Sequence, residues 1–116
     1  MLQIVGIKNC NTMKKTFDWL NGKGIDYDFR DVKKDPLDRE ELDSLAGRLG
    51  LDTLINRRGM KWRTLGLKDK NLSDAELMDV LEEHQTMIKR PVLVIDDAVM
   101  VGFDEEAVTS FLEEYL

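Results

Sequence analysis

The sequence predicts an α/β domain built on a mixed sheet, and three features predict it. Residues 2–7 form a short apolar run that leads into a helical periodicity and then into an alternating segment. Near the other end, residues 91–95 and 98–101 are two apolar runs separated only by Asp96 and Asp97. The chain then closes on an amphipathic segment.

Taken in order, Leu2 to Ile7 is almost continuously apolar, which suits a strand covered on both faces. Met13, Phe17 and Leu20 recur at i, i+4 and i+7, and Gly22 and Gly24 follow as helix-ending residues, so a first helix should run from just after Cys10. Ile25, Tyr27 and Phe29 alternate with Asp26, Asp28 and Arg30, the period of a half-covered strand. A strand-helix-strand unit of this length favours parallel pairing.

Asp38-Arg39-Glu40-Glu41 reads as an acidic helix start, with Leu42, Leu45, Ala46 and Leu49 inside and Gly50 as the stop. Ser73-Asp74-Ala75-Glu76 is a capping box opening a helix with Leu77, Val80 and Leu81 on its inner face. Residues 51–72 lack clean periodicity and are expected to hold short helical turns and loops. The pair at 91–95 and 98–101 should be a hairpin with a two-residue turn. Asp104-Glu105-Glu106 then opens a last helix whose buried stripe is Val108, Phe111, Leu112 and Tyr115.

Composition narrows the function. At 116 residues, 42% hydrophobic and 34% charged, the chain has the length and balance of one globular domain. The N-terminus lacks the features of a signal peptide and no apolar run reaches ~18 residues, so the cytosol is the expected location and no membrane association is expected. A net charge of -6 argues against general nucleic-acid binding. The charge is uneven, however: residues 1–17 hold three lysines and no acid, and residues 53–68 hold Arg57, Arg58, Lys61, Arg63 and Lys68 and no acid.

A single cysteine, Cys10, rules out an internal disulfide or a cysteine-rich metal site, so any redox chemistry must borrow a second thiol. Cys10 falls at a strand-to-helix turn, where backbone N–H groups and the helix dipole favour thiolate and lower the pKa below its unperturbed ~8.5. Lys8, Lys14 and Lys15 should act in the same direction. A lone cysteine is commonly a small buried hydrophobe. Its polar neighbours Asn9, Asn11 and Thr12 favour a reactive thiol here.

Other candidates are weaker. Pro91 before a strand fits an edge, a first position or a cis bond. Arg57 and Arg58 read equally as a solvated pair, and Lys61-Trp62-Arg63 as a basic loop anchored by one aromatic. His84 has no companion ligands and suits a helix end, so no metal site is expected.

The element order β-α-β, helical middle, β-β, α matches a thioredoxin-like sheet with helices inserted between its halves. Four segments then carry a more specific resemblance: Gly6-Ile7-Lys8-Asn9-Cys10-Asn11-Thr12, Leu54-Ile55-Asn56-Arg57-Arg58-Gly59, Ile88-Lys89-Arg90-Pro91 and Gly102-Phe103-Asp104-Glu105. In this order they resemble the ArsC-type arsenate reductases over essentially the whole chain. The nearest likeness is to the YffB-like glutathione-dependent thiol reductases, with the Spx transcriptional regulators more distant.

That resemblance implies a single thioredoxin-like (glutaredoxin-like) domain over residues 1–116, with a helical insertion spanning approximately 36–86. It implies Cys10 and Arg90 as the catalytic pair, with Pro91 cis beside the thiol. Arg58, or Arg57, would supply a second anion-binding group. The substrate- and glutathione-binding set would be Lys8, Asn11, Thr12, Lys14, Arg57, Arg58 and Pro91. A guanidinium serves such a role because its planar donors match an oxyanion or carboxylate.

Two departures shape the expected chemistry. True arsenate reductases carry a third arginine where this chain has Gly102-Phe103-Asp104-Glu105, which argues against arsenate as the physiological substrate. Many Spx proteins carry Cys-x-x-Cys, but Met13 stands at the fourth position here. The expected activity is therefore thiol transfer through a mixed disulfide of Cys10 with glutathione, which acts as co-substrate with no bound cofactor. Glutathione or a glutaredoxin-like thiol donor would be the partner of a monomeric protein. The alternative is a non-enzymatic, Spx-like regulator that binds a transcription protein.

Overall fold

The computed structural model describes all 116 residues. Its centre is strand β1 (Leu2–Gly6), whose residues alternate between two cores: Leu2 and Ile4 point to one face of the sheet, while Val5 joins Ile7 on the other. Burial on both faces is the reason the segment is continuously apolar. Helix α1 (Asn11–Gly22) leaves β1 through Cys10 and returns the chain to β2 (Tyr27–Asp31), which pairs parallel with β1. The strand begins later than the alternation from Ile25 predicts. Ile25 N–H donates to Leu20 O at 3.0 Å, so that residue belongs to the exit from α1, with Gly24 at a φ of +68°.

β3 (Val92–Ile95) lies antiparallel against the other side of β1, and β4 (Ala98–Val101) completes the order β2-β1-β3-β4. Asp96 and Asp97 form the two-residue turn between the paired Ile95 and Ala98, and Asp96 takes a φ of +53°. A short polar side chain tolerates that left-handed conformation better than an apolar one. Helix α6 (Glu105–Tyr115) buries Val108, Phe111 and Leu112 as its pattern predicts. Tyr115 departs from the pattern: in the last turn it is exposed and packs on Phe111, with ring centroids 5.2 Å apart.

Between β2 and β3 stand α2 (Arg39–Leu49), α3 (Leu51–Leu54), α4 (Met60–Thr64), a 3-10 turn (Leu67–Asp69), α5 (Asp74–Glu83) and a second 3-10 turn (Gln85–Met87). Ser73 forms the predicted capping box with Glu76, and the acidic start at Asp38 proves to be a second such box, with Glu41. The layers are helix, sheet, helix. One core of nine buried residues lies with α1 and α6, and the other, of sixteen, lies with the inserted helices. Gly6 marks the tightest contact between β1 and α1, since a Cβ there would stand 2.6 Å from Met13 Sδ.

Trp62 sits in the larger core and anchors the short α4, as the reading of a basic segment with one anchoring aromatic predicts. The middle segment is also tied to the sheet by a bridge. Ile55 pairs with Ile88, Asn56 N–H donates to Met87 O and Lys89 N–H donates to Leu54 O, both at 2.8 Å. This bridge fixes the loop that ends in Arg90.

Candidate active site around Cys10

Cys10 is the N-cap of α1, with extended backbone (φ -149°, ψ 129°) and its carbonyl accepting the first helical bond, from Lys14 N–H at 2.9 Å. It is half-buried at the end of β1 and packs against both cores. No side chain caps this helix and no acid stands in its first turn. The N–H groups that open α1 are therefore left facing the sulfur.

Arg90 enters from the opposite side. It precedes Pro91 through a cis peptide, and its guanidinium donates to Thr86 O at 2.8 Å, which holds the side chain over the thiol. Burial pushes the Cys10 thiol up. The Met13 N–H, the Arg90 guanidinium and the Thr12 N–H together outweigh that effect and hold the thiol below its ordinary value. Lys8, Lys14 and Lys15, which the sequence reading expects to help, are exposed and are not among these contributions.

Pro91 is buried beside Arg90, and its carbonyl accepts from Gly102 N–H at 2.8 Å, which joins the site loop to the end of β4. Asn11 and Thr12 occupy the exposed first turn of α1. Lys8 and Lys14 lie together on one flank of the thiol, where they border a shallow hollow of about 380 Å³ with Phe17, Asp18, Tyr27 and Phe29.

The other flank is deeper. A cleft of about 520 Å³ runs between α4 and the Thr86–Arg90 loop, lined by Ile7, Lys33, Asn56, Gly59, Met60, Lys61, Trp62, Thr64, Thr86, Met87 and Arg90. Arg90 thus faces both the thiol and the cleft. Neither Arg57 nor Arg58 is in the lining. Arg57 pairs with Asp52 at 2.6 Å and lies 5.1 Å over the Trp62 ring, and Arg58 is exposed. Asn56, Lys61 and Thr64 are the polar residues that the middle segment contributes to the cleft.

Lys33, Asn56 and Thr86 were not among the predicted site residues. They lie on three separate segments brought together by β2, the Ile55–Ile88 bridge and the second 3-10 turn, so no local pattern marks them. Phe103, in the segment that leads into α6, packs edge-on against Trp19 with centroids 5.9 Å apart. His84 ends α5, its N–H bonded to Val80 O at 2.9 Å, and no group of three or more His, Cys, Asp or Glu side chains could hold a metal ion.

Chemically, this arrangement presents one thiol with lowered pKa, one fixed cation and an open cleft. No helix is long and apolar enough to cross a membrane. The ArsC family profile matches residues 5–111. A solved YFFB protein is 35% identical, with a TM-score of 0.88 over 95% of this chain and 97% of that one. An arsenate reductase (ArsC) related protein from Brucella melitensis is 38% identical, with a TM-score of 0.78 over 97% of this chain and 94% of that one. The global transcriptional regulator Spx 2 of Lactococcus lactis is 26% identical, the match covering 97% of this chain and 86% of that protein. With its thioredoxin-like mixed sheet and the N-cap cysteine, the chain belongs to the ArsC family.

Proposed function

We propose that the protein is a cysteine-dependent thiol oxidoreductase that exchanges disulfides through Cys10, with glutathione as the reducing co-substrate. The observation that carries this reading is the uncapped start of α1 with Arg90 over it, which stabilises a thiolate in a half-exposed position. The Cys10 thiolate attacks one sulfur of an oxidised substrate disulfide, and the other sulfur leaves as a thiolate. A first glutathione thiolate releases the bound half of the substrate and leaves a Cys10–glutathione disulfide. A second glutathione restores Cys10 and departs as oxidised glutathione. Two electrons thus pass from two glutathiones to one disulfide.

Arg90 stabilises each departing or attacking thiolate at Cys10 by its charge. The missing second thiol in the chain explains why the resolving sulfur comes from outside. The absence of an arginine from Gly102-Phe103-Asp104-Glu105 makes a bare arsenate ion a poor substrate. Such chemistry fits the reducing cytosol, where glutathione supplies the thiol. Exposure to oxidised glutathione should add one glutathione to Cys10, and reduced glutathione should remove it. Mass spectrometry reads both steps, and an unmodified Cys10 under alkaline oxidising conditions would refute the proposal.

A second reading rests on the Spx relatives: the fold binds a transcription protein and Cys10 is a vestige. Retention of purified RNA polymerase by the protein, together with an unreactive thiol, would favour it. Rapid thiol exchange without retention would exclude it.

A further inference from the structure

The cleft beside Cys10 is far larger than one small oxyanion needs: about 520 Å³, against ~30 Å³ for a water's share of liquid volume. It falls within the range of roughly 300–1,000 Å³ typical of sites for organic ligands. Its floor is apolar, made by the buried Ile7, Trp62 and Met87, and its walls carry Lys33, Lys61 and Arg90 and no acid.

The state of those cations is informative. Arg30, Arg39, Arg48 and Arg57 all pair with carboxylates within 4 Å, whereas no lysine of the chain does, Lys33 and Lys61 included, and Arg90 bonds to the Thr86 carbonyl. Both lysines also border an adjoining hollow of about 310 Å³ together with Glu82 and Glu83, without pairing to either, and Glu82 is bonded to Arg39 at 3.0 Å. A mixed apolar and cationic cleft with unneutralised charge, ending at the arginine that faces the thiol, suits an organic ligand that carries carboxylates and a sulfur.

We infer that this cleft binds the carboxylate-bearing part of a small peptidic thiol or disulfide, and that Lys33 and Lys61 are its specificity-determining residues. The inference rests on the thiol-exchange reading for the identity of the reacting sulfur. It places the ligand on the α4 side of Cys10, away from the Lys8 and Lys14 flank. Trp62 and Ile7 cover the ligand's aliphatic part, Asn56 and Thr86 offer polar groups, and the two ammonium groups take the carboxylates.

The test uses S-methylglutathione, which keeps the two carboxylates and cannot exchange disulfides, with binding measured by calorimetry. Wild type should bind it, and binding should weaken as salt rises. Lys33→Ala/Lys61→Ala should weaken it on the order of tenfold. Lys33→Arg/Lys61→Arg should restore most of the affinity, and Lys8→Ala/Lys14→Ala should weaken it less than the alanine pair at 33 and 61 does. Thermal melts of the four proteins should coincide, because all these side chains are exposed or half-exposed.

No binding by wild type, equal binding by the alanine pair, or a larger loss in the Lys8/Lys14 variant would overturn the inference. Displacement by inorganic phosphate at equal concentration would overturn the organic ligand class in favour of a bare oxyanion. Lysine-dependent binding without any Cys10 adduct from oxidised glutathione would leave this site standing and refute the thiol-exchange reading alone.

Discussion

Four helices of this protein are ten residues or longer, and three of them close their orphan N–H groups in the ordinary way. Asp38 accepts from Glu41 N–H at 2.8 Å, Ser73 from Glu76 N–H at 3.2 Å and Asp104 from Ala107 N–H at 3.0 Å. All three helices also carry acids in the first turn. Helix α1 has neither a capping bond nor an acid, and at its start stands the chain's one cysteine. A cap typically contributes ~1 kcal/mol, so leaving one out costs stability. At α1 that cost leaves N–H dipoles free to act on sulfur, the same dipoles that elsewhere hold carboxylates and a hydroxyl. The carboxylate that reaches back in a capping box responds as expected. Backbone hydrogen bonding at Ser73 holds Glu76 below the usual carboxylate range, and Arg30 with the Asp38 N–H does the same for Glu41.

The largest effect should come from removing the sulfur. Cys10→Ser should abolish both alkylation and glutathione addition, because no other cysteine exists. Any modification that remained would place the chemistry elsewhere. Next, Arg90→Ala should move the midpoint of alkylation against pH upward, since the Met13 and Thr12 N–H groups would then oppose burial alone. An unmoved midpoint would mean that the helix start suffices and that Arg90 serves substrate binding only. A smaller effect separates the capped helices from the open one. Ser73→Ala should cost ~1 kcal/mol in urea unfolding and leave the alkylation profile of Cys10 unchanged. A changed profile would show that α5 is coupled to the site.

The contrast between helix starts also explains what could be read from the sequence. Asp38, Ser73 and Asp104 are local signals, and the strands at 2–6, 92–95 and 98–101 are short apolar runs that pair as their order requires. Cys10 was legible because it stood at a strand-to-helix turn among polar neighbours. Arg90 was not legible from periodicity and came from the resemblance to a family. The cleft was hidden for a physical reason. α3 and α4 are four and five residues long, too short to be stable by propensity, and their positions depend on Trp62 and on a bridge from Ile55 to Ile88.

Gln85 shows the same limit. Its buried amide accepts from Leu37 N–H at 2.8 Å and donates to Leu37 O at 2.7 Å, a pairing across 48 residues that no local pattern announces. Arg57 and Arg58 were indistinguishable as neighbours, and only tertiary structure assigns Arg57 to Asp52 and Trp62.

The smallest predicted effect tests the comparison most directly, because it asks whether Cys10 becomes a cap when it ionises. A neutral thiol is a weak acceptor, whereas serine is a good N-cap, so below the lowered folded pKa of Cys10 the Cys10→Ser protein should be the more stable by ~0.5–1 kcal/mol. As pH rises through that folded value, the native protein loses its proton while the unfolded chain keeps one up to ~8.5. The unfolded state then binds more protons, so the stability of the wild type must rise with pH, and the contribution is complete only above ~8.5. It is lost again as pH falls through the folded value. Serine does not titrate, so its advantage should shrink across that window. Urea midpoints of the two proteins, measured at a series of pH values, read the gap directly. A gap that stayed constant would mean that the thiolate gains nothing from the helix start, and that the open end of α1 is a defect in capping with no bearing on the chemistry.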